Sequence, residues 1–173
     1  MTRSPSTRKI FGPNEERTAP IGRLILERFL PYRLSVLANT LSRAVARTYD
    51  RRFGLSIPEW RVMAVLARYE ALSAVEVAAC TAMDKVRVSR AVARLLHAGI
   101  LRRETDRMDR RRSELRLSPR GIATHAQIVP FALGVERELL AVLSEEERRS
   151  LDRLLAKLQT RAEEIGRGAN NAR

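Results

Sequence analysis

A mainly α-helical fold with one small β-hairpin is what this 173-residue sequence predicts, and three observations carry that prediction. Apolar residues recur at spacings of three and four through most of the chain, the period of an amphipathic helix. Helix starts are punctuated by Ser-x-x-Glu pairs at Ser56/Glu59, Ser73/Glu76 and Ser144/Glu147, the pattern in which side chains satisfy the unpaired amides of a first turn. One region departs from the helical period. At 101–117 two five-residue segments of strand length flank a tip dense in arginine and aspartate.

The elements follow in order. Residues 1–20 are rich in Pro, Ser, Thr and charge and read as a tail or arm. Residues 21–55 read as an N-terminal helix that starts or kinks at Pro31 and carries Leu34, Leu37, Leu41, Val45 and Tyr49, with Gly54 as its stop. The Ser56 cap opens a second helix through Trp60, Met63 and Leu66. The Ser73 cap opens a short third one, and Thr81 to Asp84 reads as a turn before a fourth helix from Lys85 to Ala98. On that fourth helix Val88, Val92, Leu95 and Leu96 share an inner face, while Val86, Arg87, Arg90, Ala93, Arg94 and His97 lie outside. Gly99 ends it. Leu101–Thr105 and Ser113–Leu117 then pair as a hairpin, so residues 56–118 form a helix-turn-helix followed by a wing.

Ser118-Pro119 has the cap and first-turn proline of a fifth helix, with Pro130 and Gly134 expected to bend it. The Ser144 cap opens a last helix with Leu151, Leu154, Leu155 and Leu158 at i, i+3, i+4 and i+7. Residues 119–165 are too elongated to bury these stripes alone. With the first helix they are expected to pack against a second copy of the chain, leaving 166–173 as a flexible tail.

Charge points to the partner. The formal net charge is +13, and residues 84–120 hold twelve Lys/Arg against five Asp/Glu, a local net of +7. A field this concentrated attracts polyanions. One cysteine, Cys80, excludes an intrachain disulfide, and no Cys/His cluster has metal-ligand spacing, so neither metal nor cofactor is expected. The basic N-terminus has no apolar run of a signal peptide and no segment is a membrane span, which fits a cytoplasmic protein. With only His97 and His125, no nucleophile elbow and no P-loop, no catalytic constellation assembles and an enzyme is not expected.

These motifs resemble the MarR (multiple-antibiotic-resistance) winged-helix regulators over residues 29–165. The recognition-helix pattern is matched by Asp84-Lys85-Val86-Arg87-Val88-Ser89-Arg90. The wing and the helix start behind it are matched from Asp106-Arg107-Met108-Asp109-Arg110-Arg111 through Leu117-Ser118-Pro119-Arg120-Gly121, and the last helix by Leu143-Ser144-Glu145-Glu146-Glu147. Two positions depart: Glu70-Ala71-Leu72 stands where Gly or Pro is common, and Arg87 where many members have a small hydroxyl residue. The FLPYRLSVL and MDKVRVSRAV runs are most similar to members controlling aromatic-acid catabolism, including those answering to hydroxycinnamoyl-CoA or related thioesters.

A division of roles follows for a double-stranded DNA operator. An outward arginine can fork onto guanine O6 and N7, which makes Arg87 and Arg90 the base-reading candidates, with Arg94 further along the same face. Val86 is suited to a thymine methyl, and Lys85 and Ser89 to phosphates near the helix N-terminus. The resemblance implies that Arg111 enters the minor groove oriented by Asp109, with Arg110 and Arg112 at phosphates or solvent. It also implies a homodimer and a small-molecule effector, an aromatic acid or its acyl-CoA, bound where the dimer helices meet the winged domain. Tyr32, Arg33, Trp60, Met63 and His125 are candidate lining residues, and Arg43 and Arg47 candidates for CoA phosphates. Repression is the family's commoner outcome. Two other readings stand beside this one: an architectural DNA-binding protein without effector, and a thiol-based redox sensor, for which Cys80 lies at the end of the third helix, not near the start of the first where such sensors keep theirs, and reads better as a buried structural residue.

Overall fold

A computed structural model describes residues 24–105 and 113–171. Six helices and one hairpin follow in the order α1 (Leu30–Phe53), α2 (Ile57–Tyr69), α3 (Ala74–Thr81), α4 (Lys85–His97), β1 (Leu101–Thr105), β2 (Ser113–Leu117), α5 (Pro119–Leu140) and α6 (Glu145–Asn171). The chain is therefore mostly helical, with a two-stranded antiparallel sheet.

α1 starts at Leu30, later than the apolar period alone indicates, because Pro31 lies in its first turn, where its missing N–H costs nothing. Residues 24–29 form a turn instead, with Phe29 N–H donating to Ile25 O at 3.1 Å. Gly54 ends α1 at φ +64°, its amide closing on Asp50 O at 2.8 Å. α5 remains helical across Pro130. α6 runs on to Asn171, past the expected stop at Ile165, with pairs such as Arg161–Glu164 (2.9 Å) one turn apart along its outer surface.

One core holds the winged unit together. Val62, Met63 and Leu66 of α2 meet Val77 of α3, Val88, Ala91, Val92 and Leu95 of α4, and Leu101, Leu115 and Leu117 of the hairpin; Tyr49 of α1 and Ile128 of α5 close it from the other side. α6 contributes no buried residue among those described. Its Leu154, Leu155, Leu158 and Ile165 are exposed, as are Leu30, Leu34 and Leu37 of α1 and Phe131, Leu133 and Leu139 of α5.

Several joints fix the hairpin and α4 in place. β1 and β2 pair in the register Leu101↔Leu117 to Thr105↔Ser113. The loop before α3 adds a two-hydrogen-bond bridge to the second strand, Leu115 N–H to Leu72 O at 2.8 Å and Leu72 N–H to Leu115 O at 3.2 Å. The end of α4 is tied to the start of α5: Arg120 donates to Ala98 O (2.9 Å), Ser118 Oγ to Gly99 O (2.7 Å) and Ser118 N–H to Ile100 O (3.0 Å).

The α2–α3 connection stores strain. Glu70 sits at φ +59°, ψ −52°, and Ala71 N–H reaches back to Tyr69 O at 2.6 Å. This is a γ-turn of the rare, strained hand. The absence of Gly or Pro in Glu70-Ala71-Leu72 thus has a backbone consequence.

Candidate nucleic-acid interface

α4 is built to present one face. Asp84 caps it, accepting from Arg87 N–H at 2.8 Å, and the buried Val88, Ala91, Val92 and Leu95 seat it against α2 and α3. Ala91 belongs with that inner set, a position the sequence reading left unassigned. Lys85, Val86, Arg87, Ser89, Arg90 and Arg94 are all exposed on the opposite side. Val86 is 59% exposed, a large apolar side chain held in water at the tip of a basic helix.

The arginines of this face differ in their tethers. Arg87 Nε lies 3.3 Å from Asp84 Oδ2, both side chains mostly exposed. Arg94 Nη1 lies 3.8 Å from Oε1 of Glu59, whose side chain is only 7% exposed. Arg90 has no ion pair among the described residues. Together with Ser56, Pro58, Glu59 and Ala91, the three arginines line a cleft of about 230 Å³ between α4 and the start of α2. A second cleft, about 250 Å³, flanks α4 on the α3 side and includes Lys85, Ser89 and Arg103. The helix is thus bordered on both sides by recesses with basic rims.

Asp109, Arg110, Arg111 and Arg112 at the wing tip lie outside the described residues. The wing's base is described, and it carries an ion-pair ladder. Glu104 bridges Arg102 (2.9 Å) and Arg116 (3.1 Å), and Arg116 also reaches Glu114 (3.1 Å).

Of the effector candidates, His125 lines a cavity. Met63 is completely buried in the core, with no surface open to a ligand. Trp60 and His125 meet face to face, ring centroids 5.3 Å apart at 17°, and Tyr49 packs on Trp60 at 5.6 Å. Among the described residues no hydrogen bond, ion pair or ring contact joins Tyr32, Arg33, Arg43 or Arg47 to this stack. Burial keeps the His125 imidazole below its ordinary pKa of 6.5 and pushes the Tyr49 phenol up to about 12. A cavity of about 430 Å³ lies on the other flank of His125, between α2, the wing base and α5, lined by Leu66, Glu70, Arg102, Arg116, Ile122 and His125 among others. The two strand arginines were missed from sequence because alternation marks which face a residue takes and not what that face adjoins.

Cys80 is exposed, contrary to the expectation that it is buried: at the end of α3 the inward positions belong to Val77 and Thr81. No described cluster of His, Cys, Asp or Glu could hold a metal ion, and no described helix is long and apolar enough to cross a membrane.

A helix-turn-helix whose second helix carries exposed arginines, backed by a hairpin wing, defines a winged helix-turn-helix of the DNA-binding class. The sequence profile of the MarR family matches residues 53–112. A MarR/EmrR family transcriptional regulator from Acinetobacter sp. ADP1 superposes with a TM-score of 0.74 at 26% identity, covering 82% of this chain and 99% of that one. Bordetella bronchiseptica BpsR, whose DNA binding is regulated by 6-hydroxynicotinic acid, gives a TM-score of 0.69 at 25% identity over 80% and 98% of the two chains. The Escherichia coli transcriptional regulator HosA is 29% identical over 104 residues, 60% of this chain and 77% of HosA. A Thauera aromatica protein whose name ties it to regulation of the hcr operon is 29% identical over 116 residues, 67% of this chain and 70% of its own. The chain thus shares its fold with MarR-family transcriptional regulators, and residues 53–112 match the profile of that family.

Proposed function

We propose that the chain acts as a homodimeric, sequence-specific repressor of a pseudo-palindromic operator and is released by a small aromatic acid or its acyl-CoA thioester. The observation that carries the DNA half is the exposed outer face of α4, where Val86, Arg87 and Arg90 project from a helix seated by its buried opposite side. Arg87 and Arg90 read bases in the major groove. Lys85 and Ser89 hold phosphates, and Arg111, oriented by Asp109, enters the minor groove with Arg110 and Arg112 near the backbone.

The dimer reading rests on the apolar side chains of α1, α5 and α6 left in water by a single chain. α6 has 27 residues, about 40 Å of helix, and packs almost none of its apolar stripe within its own chain. In this reading residues 21–55 and 119–165 are the dimer-forming parts and 56–118 the DNA-binding part. The helical residues 166–171 extend the former.

The effector reading is supported by the cavity beside His125. It offers apolar walls from Leu66 and Ile122 for a ring, and two arginines for a carboxylate. Arg116 Nε is buried and, although 3.1 Å from Glu104 Oε2, has no acceptor in line with its N–H. The cavity spans the junction of α5 with the winged unit, so a ligand that fits only one setting of that junction shifts the population between half-site spacings. BpsR, which answers to a hydroxylated aromatic acid, gives this class its precedent among the neighbours.

Selection of bound duplexes from a random pool, repeated with aromatic acids and their CoA thioesters, tests both halves. An enriched pseudo-palindrome with half-sites about one helical turn apart is expected, released by at least one ligand. A specific-to-random affinity ratio near one would favour an architectural protein instead, and loss of binding with peroxide would favour the redox reading.

A further inference from the structure

The three Ser-x-x-Glu helix starts are chemically alike, yet one of them is placed differently. At Ser73/Glu76 and Ser144/Glu147 the carboxylates cap their helices from exposed positions, accepting from the serine amides at 2.7 and 2.8 Å. Capping therefore needs no burial. Glu59 is nonetheless 5% exposed, the one buried charged residue among those described. Its Oε2 accepts from both the amide and the hydroxyl of Ser56, at 2.6 and 2.8 Å. That leaves Oε1 as the atom facing Arg94, on the wall of the cleft that Arg87 and Arg90 also line.

We infer that Glu59 is a positioning residue for Arg94: two Ser56 donors fix its carboxylate, and the carboxylate holds one edge of the Arg94 guanidinium so that the other edge faces the operator. This rests on the reading of α4 as the DNA-contacting helix. A guanidinium offers five N–H donors in a planar fork, so one edge can be engaged while the other stays free. Arg94 is 76% exposed and, untethered, would sweep a wide arc before each contact. The buried carboxylate also offsets part of its pull on phosphates. Arg94 thus contributes direction at a defined place on the groove, in contrast to Arg90, which carries its full charge there.

Three roles for Glu59 predict different outcomes for Glu59→Gln, whose side-chain oxygen still caps Ser56 N–H. If Glu59 positions Arg94, affinity for the duplex selected by the wild type falls roughly three- to tenfold while random duplex is bound as well or better, because one negative charge is gone. A purely Coulombic role raises affinity for both. A purely structural role lowers both in step with a reduced unfolding midpoint, and either result would overturn the inference. In an Arg94→Ala background Glu59→Gln should cost no further specificity. A wild type that itself binds selected and random duplexes equally would fail the underlying DNA reading, whereas a discriminating wild type with an unaltered Glu59→Gln ratio fails only the positioning role.

Discussion

Gly121, in the first turn of α5, is the position at which a single methyl group should do most damage. A Cβ there would fall inside van der Waals contact with Ile100 O, and would come within 3.2 Å of Leu117 Cδ2. Neither neighbour can retreat freely: Ile100 O accepts from Ser118 N–H at 3.0 Å, and Leu117 is a buried strand residue paired with Leu101. Overpacking of this kind costs about 1–3 kcal/mol, and weakening the Ser118–Ile100 hydrogen bond adds about 0.5–1.5 kcal/mol. Alanine returns about 0.5–1 kcal/mol through its helix propensity. Gly121→Ala should therefore destabilise by about 2 kcal/mol, within bounds of roughly 0.5–4, which at the central value is about 4–8 °C in Tm for a chain of this size. The assay is urea unfolding at one fixed protein concentration, with Gly166→Ala as its counterpart. Gly166 lies in α6 with nothing within 4 Å of an added Cβ, so the same replacement there should stabilise by up to about 1 kcal/mol. A Gly121→Ala protein that unfolds within about 0.5 kcal/mol of wild type would refute the reasoning.

Four further outcomes are expected. Arg87→Ala should relax base preference, while Arg111→Ala should weaken operator and random duplex more evenly; equal loss of specificity from both, measured by competition binding, would contradict the division. Leu154→Glu with Leu158→Glu should turn the proposed dimer into a monomer in sedimentation and abolish operator binding, because the charges fall on exposed apolar positions of α6. His125 is held neutral by burial, so the unfolded chain takes up its proton first as pH falls. Stability from this group is complete above 6.5 and lost as pH drops from there toward the lowered folded value, and His125→Phe should flatten that part of the profile. Tyr49, pushed up to about 12, contributes stability that is complete below pH 10 and lost between 10 and 12. In a spectroscopic titration one of the three tyrosines should ionise late, and Tyr49→Phe should remove that phase.

Most of the fold was legible because its signals are local. Strand limits at 101–105 and 113–117 follow from length and alternation, and the starts of α2, α3 and α5 from serine caps. What escaped depends on contacts distant in sequence. The Ser56/Glu59 pair announces a helix start, but nothing nearby shows that Arg94, thirty-five residues on, closes over the same carboxylate. Arg102 and Arg116 carry no signal within their own segments, and only pairing places them opposite each other beside α5. Cys80 looked buried because free cysteines usually are, yet the inward positions of so short a helix were already taken by Val77 and Thr81. Glu70 shows the converse: the missing glycine was visible, while its cost appears only in the φ of +59°. Glu70→Gly should accordingly be neutral or stabilising by up to about 1 kcal/mol.

The bridge between Leu72 and Leu115 makes the hairpin part of the helix-turn-helix rather than an appendage to it. Through it the loop entering α3 and the second strand share two hydrogen bonds, while Arg120 and Ser118 lock the exit of α4 to α5. In the proposed complex such a reader has a fixed gauge: the distance from the groove proposed for α4 to that proposed for the wing is set by these backbone joints, like the spacing of teeth on a key. Operators of related proteins with this joint should then vary in the letters of each half-site more freely than in its length.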